Sequence, residues 1–422
     1  MRIEMEPRYR QSLLERFLRY VRIDTQSDEN STTSPSAEKE KDLSRILAAE
    51  LGELGCADAR MDEWGYVYAS VPANPPALEG KVPAIGLIAH VDTAFGCSGA
   101  NVQPQVRADY DGNDIPLPAN PSLVLRPSEE PNLLRCKGHT LVTTDGTTLL
   151  GADDKAGIAE IVTVVEWLRD HPDFRHGAIR IAFTTDEEVG RGTEHFDVAA
   201  FDARYAYTLD GSDLGEIEDE TFCADMAKVV VEGADVHPGY AKGKMVNAVR
   251  VASALVEALP RDRLPETTEG RQPYLHPYES KGDVSKVEMK VLLRAFTVED
   301  LADRANALRA AAAEVERRFP GAKVSVDVKE QYRNMGFVLA QHPAVMDNAF
   351  EAARLQGIEP VRKAIRGGTD GARLSFMGLP TPNVWAGGQN FHSLKEWVSL
   401  DWMVGAVETT LQILAVWTRK SA

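Results

Sequence analysis

Cysteine is sparse: Cys56, Cys97, Cys136 and Cys223 lie far apart with no CxxC pair. That excludes a thiolate zinc site and a disulfide framework, and makes a reducing compartment the expectation. Long apolar runs are lacking, and none has the length needed to span a bilayer. The first ten residues alternate in charge without an apolar stretch, so no secretory leader is expected and a cytoplasmic location is. Positive charge is in deficit, with 47 Lys and Arg against 64 Asp and Glu and a net charge of −17. Phosphate recognition needs a basic surface, so nucleic acid is not expected as a partner, and neither is a membrane. Internal repeats and low-complexity tracts are missing too.

What is present is the profile of a globular protein, 43% hydrophobic and 26% charged over 422 residues. That length exceeds one ordinary core and implies two domains. Leu14, Phe17, Leu18 and Val21 share one helical face, and a second helix is expected over residues 37–54. Apolar runs at residues 64–71, 82–89, 178–183 and 205–209 read as strands, with a helix over about 152–168 between them. Strands alternating with helices mean a mostly parallel, doubly covered α/β sheet. Residues 94–132 are polar and Pro-rich, lack periodicity and read as an excursion over the surface. From residue 222 the order becomes β-α-β-β-α-β, the shape of an inserted ferredoxin-like α+β domain. The expected division is a discontinuous catalytic domain, 1–221 and 333–422, around an inserted lid or dimerisation-type domain, 222–332.

Chemistry gathers at the strand ends, where open α/β sheets place their ligand sites. The run ending at Ala89 leads into His90-Val91-Asp92; Asp153-Asp154 opens the next helix; Asp186-Glu187-Glu188 follows Thr184-Thr185; Asp210 ends the strand at Leu209. His392 stands in a Gly-rich loop after Trp385. Singly, each has an ordinary explanation: a histidine bonded to a nearby acid, a helix cap, a solvated acidic loop, a turn. Five such features at equivalent strand ends favour the joint explanation, a metal centre. Imidazole and carboxylate ligands without thiolates suit Zn²⁺, with Co²⁺ or Mn²⁺ as substitutes.

At this point a resemblance enters. Ala89-His90-Val91-Asp92-Thr93, Leu149 through Glu160, Val236-His237-Pro238-Gly239, Met245-Val246-Asn247-Ala248 and Ile365 through Ala372 resemble the tripeptide aminopeptidases among the co-catalytic dizinc peptidases, and the likeness runs nearly end to end. It implies two zinc ions, with His90 and Asp210 on one, Glu188 and His392 on the other, and Asp153 bridging. It also implies Asp92 orienting His90, Glu187 as general base, a cis peptide between Asp153 and Asp154, and a second copy of the chain as partner. Adjacent glutamates then divide the work, because a carboxylate that saturates a metal cannot also shuttle protons. His237, Asn247, Arg294 and Arg366 are the candidate substrate-binding residues: His237 for the oxyanion, the two arginines for the peptide's carboxylate. Three positions depart from the family pattern: Thr185 in place of proline, Phe391 in place of tyrosine, and Ser212-Asp213 in place of a glycine-rich turn. None removes a ligand. The alternatives are a dizinc N-acyl amino acid deacylase or desuccinylase, and a non-catalytic peptide-binding protein, whose mark would be loss of Glu187 or of a ligand.

Overall fold

In a computed structural model that describes residues 2–421, the chain divides into two compact units. One holds the chain up to Asp219, Phe337–Lys363 and the stretch from Thr369 onward; the other holds Glu220–Gly336 and Ala364–Gly368.

The first unit is built on an eight-stranded sheet, in the order Arg60–Met61, Val67–Val71, Ile179–Thr184, Ile85–His90, Tyr205–Gly211, Asn383–Trp385, Glu216–Thr221, Val361–Ile365. The central four strands are parallel, and the Val67 and Glu216 strands join them antiparallel. Ile85–His90 is buried along its whole length, as an apolar strand covered on both faces must be. Its register sets His90 opposite Thr184, and Leu209 opposite Val384, so four chain segments leave the sheet at one edge. The helix Ala152–Asp170 lies against the Ile85 and Tyr205 strands and is buried almost all round, because Pro7–Tyr20 and Leu400–Ser421 cover its other sides. Gly157 permits that approach: a Cβ there would sit 1.9 Å from the Leu209 carbonyl oxygen.

Two local readings need adjustment. The strand expected from residue 64 begins at Val67, because Asp62 accepts from the amides of Trp64 and Tyr66 and closes a turn with Gly65 at φ 88°. The stretch 94–132 carries short strands. Gln105–Arg107 joins Leu141–Thr143, Trp397–Ser399 and Gly388–Gln389 in a four-stranded sheet, and Ile115–Leu117 pairs with Asn120–Leu125. Strands this short carry no readable period. Their apolar side chains Ile115, Leu117 and Leu125 pack with Trp397 and Trp402 from far along the chain.

The second unit has the β-α-β-β-α-β order of a ferredoxin-like domain. Its antiparallel sheet runs Tyr274–Gly282, Lys286–Ala295, Cys223–Glu232, Lys323–Tyr332. Helices Ala248–Ala258 and Val298–Arg318 bury Val251, Leu255, Leu308 and Val315 against Val229, Val231 and Leu293. Among the described residues, no helix is long and apolar enough to cross a membrane.

Candidate metal centre

The five expected ligands and both expected catalytic residues come from the first unit, and five segments bring them together. His90 ends its strand and Asp210 lies in Tyr205–Gly211. Asp153 stands at the start of Ala152–Asp170, where its φ/ψ is not helical and its peptide to Asp154 is cis. Glu187 and Glu188 follow the Ile179 strand, and His392, at φ 59°, stands in the loop beyond Trp385.

Asp153 is the centre of the arrangement. Its Oδ1 lies 2.9 Å from His90 Nε2 and its Oδ2 3.0 Å from His392 Nε2. Asp210 Oδ1 approaches His90 Nε2 at 3.6 Å, and Glu188 Oε1 approaches His392 Nε2 at 3.0 Å. His90, Asp153 and Glu188 form one group of potential ligand atoms within 4.8 Å of one another, and His90, Asp154 and Asp210 form another. Asp154 is already engaged: its Oδ2 accepts from the His90 amide and its Oδ1 from the Gly157 amide. That leaves Asp153 as the carboxylate of the pair that faces the two histidines.

The donor set fits divalent metal. Two ligand atoms each about 2.1 Å from a tetrahedral Zn²⁺ lie about 3.4 Å apart, and the distances above bracket that value. The donors are imidazole and carboxylate, the mixture zinc accepts. Glu188 Oε1 is buried and faces the His392 ring, so carboxylate and imidazole converge on one point, as two ligands of a cation would. The carboxylates also outnumber the imidazoles, and their titration reflects it. Burial pushes Glu187 and Asp154 well above the ordinary carboxylate range, and burial with Asp153 alongside pushes Glu188 to about 7 and Asp210 to about 6. Burial opposes charge on the histidines, yet the hydrogen bonds to Asp153, Asp210 and Asp92 raise His90, and Asp153 and Glu188 raise His392 to about 11. Without cations this cluster is short of positive charge and holds protons instead.

Three acids in a row at a strand end are tolerated because their backbone and side chains face opposite ways. The Asp186 amide donates to Glu40 Oε2, the Glu187 amide to Asp92 Oδ1 and the Glu188 amide to Asp92 Oδ2. Three consecutive N–H groups thus grip buried carboxylates and leave the glutamate side chains to the metal side. Asp186, at φ 64°, accepts twice from the Ser36 amide and so ties the loop to the segment before Glu40–Glu53. Asp92 is fully buried and serves His90 as well: the ring Nδ1 lies 3.0 Å from the Asp92 carbonyl oxygen and 3.4 Å from its Oδ1. Holding the proton on Nδ1 turns Nε2 toward the cluster as a lone-pair donor.

Sequence reasoning missed several supports. Glu40 sits in an ordinary amphipathic helix and gives no local signal. Asp370 accepts from Thr184 Oγ1 at 2.7 Å at the end of the Ile179 strand, and burial lifts its carboxyl to about 6. Glu396 receives the amides of Leu150, Gly151 and Asp153, and its signal was its place four residues after His392.

The four candidate substrate-binding residues all lie in the second unit, apart from the ligands in the chain's other unit. His237 is exposed, with Nδ1 accepting from the Gly239 amide. Asn247 caps Ala248–Ala258, its Oδ1 accepting from the Val249 and Arg250 amides. Arg294 Nη1 donates to the carbonyls of Asp225 and Leu293, and its guanidinium lies over the Tyr332 ring. Arg366 belongs to the short stretch Ala364–Gly368 of this unit, rather than to the domain in which its sequence position suggests it. Its Nη atoms donate to the carbonyls of Thr268, Gly270 and Gln272 and to Thr268 Oγ1. That guanidinium holds the loop 268–272 in place.

A parallel α/β sheet whose strand ends collect two histidines around a shared carboxylate is the frame of a metallopeptidase. The chain belongs to peptidase family M20/M25/M40, whose sequence model matches residues 128–415. Within that family it is 46% identical over 413 residues to peptidase T of Geobacillus thermodenitrificans, covering 98% of this chain and 100% of that one. It is 47% identical over 406 residues to peptidase T of Clostridium perfringens, covering 96% and 99%. A solved tripeptidase from Staphylococcus aureus shares the fold with a TM-score of 0.76 at 23% identity, over 97% of this chain and 99% of that one. The resemblance drawn from the motif segments is therefore established, and with it a peptide-hydrolysing enzyme.

Proposed function

We propose that the enzyme is a cytoplasmic aminopeptidase that removes the N-terminal residue from tripeptides with two Zn²⁺ per subunit. His90 and Asp210 would hold one ion and Glu188 and His392 the other, with Asp153 shared between them. The observation that carries this reading is the Asp153 carboxylate, with one oxygen 2.9 Å from His90 Nε2 and the other 3.0 Å from His392 Nε2. When bound at these ligands, divalent ions would supply a Lewis acid for the scissile carbonyl and lower the pKa of water toward neutrality. Glu188, not Glu187, falls in the group with His90 and Asp153, which supports giving Glu187 the proton. Glu187 takes a proton from the attacking water on a side-chain oxygen and passes it to the departing amine. Asp92 fixes both actors at once, holding the His90 ring and the amides of the two glutamates. In the second unit, Arg294 is the better candidate to hold the peptide's carboxylate, since among the described residues its Nη1 alone donates a hydrogen bond while both Nη atoms of Arg366 are engaged. His237 remains the candidate for the oxyanion.

The test compares a free tripeptide with its N-acetylated form, together with Glu187→Ala. The free peptide should be cleaved and the blocked one spared. E187A should lose at least about 100-fold in kcat, the scale of general acid–base catalysis, while keeping two equivalents of metal. Cleavage of only the blocked substrate would assign a deacylase, and loss of metal from E187A would exchange the roles of the two glutamates.

A further inference from the structure

Glu396 plays no part in the chemistry above, yet its carboxylate is 1% exposed and fully used. Oε2 accepts from the amides of Leu150 at 2.7 Å and Gly151 at 2.9 Å, and Oε1 from the amide of Asp153 at 3.1 Å. These three N–H groups lie where Ala152–Asp170 begins, and the helix has no side-chain cap of its own from Gly151.

Glu396 is also fixed to His392. The turn between them is knit by Ser393 Oγ donating to the Asn390 carbonyl, the Lys395 amide donating to Ser393 Oγ and the Glu396 amide donating to the Ser393 carbonyl. Thr144 Oγ1 holds the same turn through the Leu394 carbonyl at 2.9 Å. His392 and Asp153 therefore meet twice: in front through His392 Nε2 and Asp153 Oδ2 at 3.0 Å, and behind through Glu396 and the Asp153 amide. The result is a closed ring: Asp153 side chain, His392, the turn 392–396, Glu396, Asp153 backbone.

We propose that Glu396 is a positioning residue that sets the spacing between the bridging carboxylate Asp153 and His392, and so the affinity of the metal position shared by His392 and Glu188. The ring is needed on that side because His392 stands on a loop. His90 and Asp210 stand on paired strands, and His90 has Asp92 behind it. Plain helix capping would also place a carboxylate at these amides, but it would stabilise the helix without favouring one metal position. Gln is the informative replacement. It keeps size and offers one acceptor oxygen, and its NH₂ turns toward donors it cannot satisfy.

This inference rests on the proposed ligand roles, and the experiment separates the two. Zn²⁺ is titrated into metal-free protein against a chromogenic chelator, with Co²⁺ absorption as a second readout. The wild type should bind two equivalents; failure to do so would overturn the dizinc reading and this inference with it. If the wild type binds two, Glu396→Gln should bind the first equivalent normally and the second about 10–100-fold more weakly, the usual scale for a residue supporting a ligand. Its activity should return at high Zn²⁺ with KM unchanged. Thr144→Val loosens the same turn while leaving the Glu396 oxygens in place, so it serves if E396Q does not fold; it should show the same selective weakening to a smaller extent. Wild-type affinity for both equivalents would overturn the proposal. So would equal weakening of both with a lowered unfolding midpoint of the metal-free protein, the signature of a helix cap.

Discussion

Replacing Asp92 with Asn tests the organisation of the centre, because one side chain of unchanged shape serves two metal-facing loops. The carboxylate accepts the Glu187 amide at 3.0 Å and the Glu188 amide at 3.1 Å, one on each oxygen, and faces His90 Nδ1 at 3.4 Å. Asn keeps a single acceptor, so at least one amide faces an NH₂ group in a fully buried place. A hydrogen bond to a charged group is worth about 1.5–3 kcal/mol, and an orphaned buried donor costs a similar amount. Losing the negative charge behind His90 also weakens the imidazole as a ligand, by about 10–100-fold in metal affinity, or about 1.4–2.7 kcal/mol at 1.36 kcal/mol per tenfold. D92N should thus lose about 2–4 kcal/mol of unfolding stability without metal and bind Zn²⁺ at least about tenfold more weakly. Its kcat should stay low even with both metal positions filled, because Glu187 is displaced along with its amide. Urea unfolding of metal-free protein, chelator competition and kcat at saturating Zn²⁺ read the three effects separately. A variant with wild-type kcat once metal is saturating would refute the claim that Asp92 places Glu187.

Two further outcomes follow from groups outside the centre. Glu160 is fully buried, neither oxygen has a hydrogen-bond partner, and burial followed by Asp154 raises its carboxyl well above the usual range. Its neutral form is the one that suits the fold, so its contribution is intact below the unfolded value of about 4.3 and declines as pH rises through the folded one. Glu160→Gln should match the wild type near pH 4 and gain on it by up to about 1.4 kcal/mol per pH unit above that, measured by urea unfolding without metal; a difference flat with pH would show that Glu160 ionises freely. Arg16 is 7% exposed and joins three helices through Glu50 at 2.8 Å, Glu166 at 2.6 Å and Thr163 at 3.2 Å. Arg16→Met removes these bonds while Glu50 keeps Arg19 and Tyr20 and Glu166 keeps Ser12, so it should cost about 1.5–3 kcal/mol, measured by urea unfolding; a cost under about 1 kcal/mol would mean that solvent screens the cluster.

What was legible in the sequence and what was not divides along a physical line. Strands such as Ile85–His90 and Ile179–Thr184 are buried on both faces, so they announce themselves as apolar runs, and His90, Asp210 and the acidic triplet stand conspicuously at or just past their ends. The ferredoxin-like unit is legible for the same reason, through long amphipathic elements such as Val298–Arg318. The strands of the excursion gave no signal because they have three to six residues and their core borrows Trp397 and Trp402. Arg366 could be seen as a cation in a motif, but its ties to carbonyls of the loop 268–272 depend on the path of the backbone, which no local pattern encodes.

The same limit hid the residues that hold the centre together. A ligand must be a particular residue type facing the metal, so composition at a strand end reveals it. A supporting carboxylate need only reach a few amides, and it can come from any element that passes behind the loop. Glu40 arrives from a surface-patterned helix to take the Asp186 amide, and Glu396 from a turn to take three amides before and within the Asp153 loop. Both use one device: N–H groups of a loop at the cluster are drawn toward a buried carboxyl group, and the loop's acidic side chains are thereby turned the other way. Asp186-Glu187-Glu188 can then carry three acids in a row, because its backbone amides are taken up by Asp92 and Glu40 while Glu188 joins the cluster of His90 and Asp153. A change that removes a supporting anion should therefore act first on the loop's direction and only through it on metal and turnover, which is why the Asp92 and Glu396 variants are read by metal affinity and kcat separately.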